Sequence, residues 1–166
     1  MRVIVTLPSR PDDGGVRRLG LSAAVAAFAL TSGACTGSQA SAGHSCGALD
    51  KRFIQTAGLN MTALGIWASG YQDGSIDPAE MVAQARDAAK RVGYTEPHDP
   101  SLRRAQVLID AMFLEYGDAV AHLAKGKPDA GKRMFRAYGL ANFAREILVE
   151  AQPELAKRGC DVAPLL

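Results

Sequence analysis

The sequence predicts an all-α protein, an up-down-up-down four-helix bundle closed by a terminal disulfide and preceded by a signal segment and a flexible tether. Three observations carry that expectation. Apolar residues recur at intervals of three and four over four successive stretches between Cys46 and Leu166. Gly, Pro or Asp punctuates the ends of those stretches. Cys46 and Cys160 bracket the whole set.

Helix 1 is predicted from about Ala48 to Tyr71, with Leu49, Phe53, Ala57, Leu64, Trp67, Ala68 and Tyr71 on one face. Gly58, Thr62, Gly65 and Ser69 form a small-residue stripe on its flank. Mid-helix glycines cost about 1 kcal/mol each against Ala, so the stripe predicts a neighbouring helix in close approach. After a turn, Asp77-Pro78-Ala79-Glu80 opens helix 2 with an N-cap, a first-position proline and an acid three residues on. Its apolar face is Met81, Val82, Ala85, Ala88, Ala89 and Val92, and it ends at Gly93.

Asp99-Pro100 repeats that opening for helix 3. Leu102, Ala105, Ile109, Met112, Tyr116, Ala119, Val120 and Leu123 hold the pattern until Gly126-Lys127-Pro128 breaks it. Helix 4 is predicted from near Asp129 to Lys157-Arg158-Gly159, with Leu140, Ala144, Ile147, Leu148, Ala151 and Leu155 as its stripe. Pro153 inside that pattern is expected to kink or thin the last turns. The short apolar tail from Asp161 to Leu166 is expected to fold back on the bundle end.

Upstream lies an address. Arg17-Arg18 precede the apolar run Leu19–Leu30, which has the length of a signal core and is too short to span a bilayer. Val16 stands directly before the arginine pair, and translation is expected to begin there, because the Pro- and Asp-containing residues 1–15 are foreign to a signal. Arg17-Arg18-Leu19-Gly20-Leu21 loosely resembles a twin-arginine signal, with Gly20 where an aromatic is usual. The stretch Thr31-Ser32-Gly33-Ala34-Cys35 resembles a bacterial lipoprotein signal. Gly33, Ala34 and Cys35 match its pattern, and Ser32 departs from the usual aliphatic residue. That resemblance implies acylation of Cys35, which becomes the mature N-terminus on a membrane anchor. Residues 1–34 are then signal, 35–45 a Gly- and Ser-rich tether and 46–166 the domain. Ala40-Ser41-Ala42 offers ordinary secretory cleavage as the alternative. Either route removes Cys35 from the pool of three cysteines and leaves a Cys46–Cys160 pair. An exporting compartment permits that bond, and closing so long a loop is worth about 4–5 kcal/mol in the chain-entropy account.

Of 19 basic and 17 acidic residues, four Arg and two Asp fall in residues 1–34, so the remainder is electrically balanced. Without a basic footprint, nucleic acid is not an expected partner. The candidate sites are few. Ser69–Glu80 aligns with a calcium loop through Asp73, Gly74, Ile76, Asp77 and Glu80, but Ser69 and Tyr71 occupy places that need carboxylates. Glu115, Asp118 and His122 share one stripe of helix 3 and are weak metal candidates; a solvated face explains them better. Met61, Met81, Met112 and Met134, one per helix, with His98 and His122, invite a haem reading, without a covalent attachment motif. No Gly-x-Ser-x-Gly and no phosphate-binding glycine loop is present.

Val107, Leu114 and Ala121 recur every seven residues on helix 3, nearly opposite its core stripe. They are expected to be covered by another segment, or else to form a partner or self-association surface. Lys51-Arg52, Lys90-Arg91, Arg103-Arg104 and Lys157-Arg158 gather at the tether end and could face anionic headgroups. The expectation is an exported, lipid-anchored protein on the outer face of a bacterial cytoplasmic membrane, with a binding or structural role, no enzymatic activity and no cofactor. A metal- or haem-binding bundle is the first alternative and an enzyme of unknown type the second.

Overall fold

Two Asp-Pro pairs set the frame. In the computed structural model, which describes residues 45–166, the Asp77 carboxylate accepts the Glu80 N–H at 2.8 Å. Asp99 accepts the N–H groups of Ser101 and Leu102 at 2.8 and 3.1 Å. Each proline stands first in its helix, where a missing N–H costs nothing. The chain forms α1 (Ala48–Asp73), α2 (Pro78–Gly93), α3 (Pro100–Ala124), α4 (Ala130–Lys157) and a 3₁₀ turn at Ala163–Leu165. All regular structure among the described residues is helical. The signal segment, Cys35 and the tether as far as His44 lie outside the described residues.

α3 is the central element, packed on one side by α2 and on the other by α4. Gly117 makes the first contact tight, since a Cβ there would stand 3.2 Å from that of Ala85. The Gln106 amide donates to the carbonyls of Val92 and Gly93 at 3.1 and 2.9 Å, satisfying orphan acceptors at the end of α2. Phe53, Phe113, Leu102, Ile109, Leu148 and Leu155 are fully buried in one cluster that draws on all four helices. Met81 and Val92 of α2 are fully buried as well.

α1 enters that core with its first half alone. Phe53, Ile54 and Ala57 are buried, but Leu64, Trp67 and Tyr71 are only half-buried, and Leu59 and Ile66 are exposed. The tail closes the gap at the disulfide end. Val162 and Leu165 are buried, Pro164 lies against Gly58, and Arg145 of α4 donates to the Leu166 carbonyl at 3.2 Å. The tail thus touches both α1 and α4. The small-residue stripe of α1 therefore meets the tail at Gly58, not a neighbouring helix, and Gly65 faces open space. Thr62 and Ser69 return their hydroxyls to the carbonyls of Gly58 and Gly65. α4 continues through Pro153 to Lys157, with Leu155 fully buried beyond the proline.

Cys46 and Cys160 are joined by a disulfide, with their Cα atoms 5.1 Å apart, inside the range such a bond requires. Gly159, at φ +77°, turns the chain from α4 into that bond. The same end holds a buried carboxylate pair. Asp50 accepts the N–H groups of His98 and Asp99 at 2.7 and 3.0 Å, and that of Gly47 at 3.3 Å. Asp99 in turn accepts from the Arg158 guanidinium, and the Arg158 carbonyl accepts the Cys46 N–H at 2.7 Å. Burial alone would raise the Asp99 carboxyl, but Arg158 and the N–H groups of Leu102 and Ser101 hold it below the usual range. The start of α1, the α2–α3 loop and the end of α4 are thereby tied into one knot.

Candidate functional site

The helices leave a groove where the first half of α4 passes over α3. Met112 and Tyr116 come from α3, and Gly131, Met134, Phe135, Ala137, Tyr138 and Ala141 from α4. Its volume is about 580 Å³, and its lining is almost wholly apolar. Burial raises the Tyr116 hydroxyl above its ordinary value, and the Tyr71 phenol of α1 raises it further. Tyr71 belongs to the half of α1 that is only partly buried. An apolar concavity with two phenol hydroxyls as its polar handles can hold aliphatic or aromatic groups.

Beside it runs an ion-pair network between α3 and α4. Arg133, on the inner flank of α4, reaches Glu115 at 3.3 Å, Asp118 at 3.6 Å and Asp129 at 3.4 Å. Arg136 adds a 2.9 Å bond to the other oxygen of Glu115, and Arg86 of α2 lies 3.5 Å from Asp118. His122 Nδ1 stands 2.7 Å from Asp129, and that contact, followed by Arg133, holds the Asp129 carboxyl below the usual range. Glu115, Asp118 and His122 do share a stripe, but arginines occupy the space between the two carboxylates and α4, and the imidazole turns to Asp129. The stripe is an inter-helix clasp more than a solvated face. No group of three or more metal-ligating side chains gathers among the described residues.

The other candidates scatter. Asp77 caps α2, Asp73 accepts the Ser75 N–H at 2.9 Å, and Ser69 bonds to Gly65, so these places of the calcium-like loop make local bonds. Met81 and Met112 are buried, Met61 is half-buried, and Met134 lines the groove. His98 lies before the start of α3 and His122 in its last turn, so about 33 Å of helix separates them. Val107 and Leu114 are exposed, at 62% and 45%, and Ala121 is half-buried. The tail packs on α1 and α4. Of the basic pairs, Arg91 bonds to Asn60, Arg103 to the carbonyls of Pro97 and His98, Lys157 to Glu154, and Arg158 to Asp99. These are structural uses of charge.

No known protein family matches the chain, and neither a curated protein nor a solved structure matches it.

Proposed function

We propose that this chain is an exported, lipid-anchored helical protein with a binding role at the outer face of a bacterial cytoplasmic membrane, and that it is not an enzyme. The groove between α3 and α4 carries the proposal. Its eight lining residues present methyl, thioether and aromatic surface, with no acid, base or nucleophile stronger than a phenol. Such a site holds a ligand by burying its apolar area, at about 25 cal/mol per Å² removed from water. The lipoprotein-like signal ending at Cys35 supports the anchor, and the Cys46–Cys160 disulfide accords with an oxidising compartment.

The helix order is read as up-down-up-down. Gly93 facing Asp110 and Ala85 facing Gly117 support opposite directions for α2 and α3. Pairing of Glu115 with Arg133 and of Asp99 with Arg158 supports the same for α3 and α4.

Filling the groove tests the binding role. An anilinonaphthalene sulfonate dye should brighten on the native protein, and Ala141→Trp should remove at least about half of that enhancement while leaving the helical signal intact. Equal dye emission from both proteins would place the apolar binding surface elsewhere and end this reading.

A further inference from the structure

α4 carries apolar residues on two faces. One is the core face of Ala137, Ala144, Leu148 and Leu155. The other points away from the core: Phe135 is 77% exposed, Tyr138 66% and Phe143 61%. A helix that is apolar on both sides is normally covered on both. At about 200 Å² for a whole aromatic side chain, these three expose roughly 400 Å² per copy, half of what one side of a standard interface buries.

The order of residues along that outer face says what covers it. Gly131, Phe135, Gly139 and Phe143 follow one another every four residues, the spacing of a single ridge on a helix. A Cβ built on Gly131 or Gly139 meets nothing within 4 Å, so each glycine is an open notch between aromatic knobs. The row reads notch, knob, notch, knob. Turned end for end it reads knob, notch, knob, notch. Two identical rows lying antiparallel therefore interlock, and a parallel pair sets knob against knob.

We infer that a second copy of this chain docks here, α4 against α4, about a two-fold axis at the level of Ala137. That axis sets Phe135 over Gly139 of the second copy and Phe143 over its Gly131. Charge agrees with the antiparallel sense. The exposed cations Lys127, Lys132 and Arg136 stand in the first half of the row, Arg136 paired with Glu115, and the exposed acids Glu146 and Glu150 stand in the second, where the exposed Arg145 donates to the Leu166 carbonyl. Antiparallel docking brings opposite signs together, and a parallel one would pair like with like. Rim charges of this kind set orientation more than strength. The contact is isologous, the commonest way in which a chain pairs with itself. It uses α4 and not the Val107–Leu114–Ala121 seam of α3. The docking face shares Gly131, Phe135 and Tyr138 with the rim of the groove, whereas Gly139 and Phe143 lie outside it.

The test uses two differently tagged copies of the full chain, co-expressed, with one captured and the other measured. Wild-type chains should co-purify. Gly139→Phe sets knob against knob, and overpacking of that kind should cut recovery of the second copy at least about tenfold. Phe135→Gly removes the knob and should weaken pairing likewise, as should Phe143→Ser at the exposed end of the row. The double exchange Phe135→Gly with Gly139→Phe swaps knob and notch within the row. It should restore recovery to within about threefold of wild type. Each variant is checked for its helical circular dichroism and for blocked Cys46 and Cys160 thiols. Three results would overturn the inference: no co-purification of wild type, indifference to Gly139→Phe, or no rescue by the double exchange in a folded protein. Retained pairing in Ala141→Trp, with its dye signal lost, would separate this surface from the groove.

Discussion

Removing the Asp50 side chain should cost about as much as truncating a buried leucine to alanine. Asp50 is 7% exposed, yet its Oδ1 accepts two backbone N–H groups, those of His98 and Asp99, at 2.7 and 3.0 Å. Its Oδ2 makes only the long 3.3 Å bond to Gly47. In Asp50→Ala both good donors lose their acceptor in a place water reaches poorly. An unsatisfied buried donor costs about 1–3 kcal/mol. Alanine's better helix propensity returns about 0.5 kcal/mol, and loss of a carboxylate from the first turn takes a similar amount away. With two such donors and the last two effects cancelling, the expected loss is about 2–6 kcal/mol. Asp50→Asn supplies the control, because its amide oxygen can take the place of Oδ1 and keep both bonds. It should lose only about 1 kcal/mol, the difference between charged and neutral acceptors. The assay is urea unfolding of the oxidised protein, read by helical circular dichroism, with the midpoint shifting at constant slope. An alanine variant within about 0.5 kcal/mol of wild type, or an asparagine variant as damaged as alanine, would refute the role given to Asp50.

Other outcomes follow from the same structure. Asp99 has its carboxyl lowered in the folded state, so its contribution is fully present above the unfolded value near 3.8 and is lost as pH falls through the folded one; Arg158→Gln should flatten that acid limb of a stability–pH profile. Asp110 is shifted the other way by burial, so its charge opposes folding once ionised. Asp110→Asn should raise the unfolding midpoint at pH 7 and leave it unchanged at pH 3. Gly58→Ala should stabilise a chain truncated after Asp161 by about 1 kcal/mol, through helix propensity. In the intact chain the new Cβ would meet Pro164 at 3.0 Å, so part or all of that gain should vanish, giving a non-zero coupling in a double-mutant cycle. Reduction of the Cys46–Cys160 bond, with a sequence separation of 114, should lower stability by up to about 4–5 kcal/mol.

Much of the frame was legible because it is local. Asp77-Pro78 and Asp99-Pro100 announce helix starts through bonds that reach only two or three residues, and both starts stand where expected. The disulfide was legible from parity, once Cys35 was set aside. What could not be read was which helix leans on which. The periodicity of α1 continues past Asn60, yet its second half is only partly covered, and the tail packs beside Gly58 in the first half and meets α4 at Arg145. The groove is built from residues of two separate helices and has no local signature. The clasp of Arg133 on Glu115 and Asp118 joins residues on separate helices, and side-chain spacing on α3 alone suggested a solvated face. One signal was available and unused. The stripe through Leu140, Ala144, Leu148 and Leu155 leaves Phe135, Tyr138 and Phe143 unexplained, and three aromatics outside the core face of one helix are reason to expect a second face.

The most direct test of the account is the intact mass of the protein isolated from its native membrane, before and after reduction. The account predicts a chain beginning at Cys35 with added acyl mass, which gains two hydrogen atoms when Cys46–Cys160 is reduced. A chain beginning at Gly43 without acyl mass would make it a freely secreted protein and contradict the anchor. An unchanged mass on reduction would contradict the bond that closes the fold.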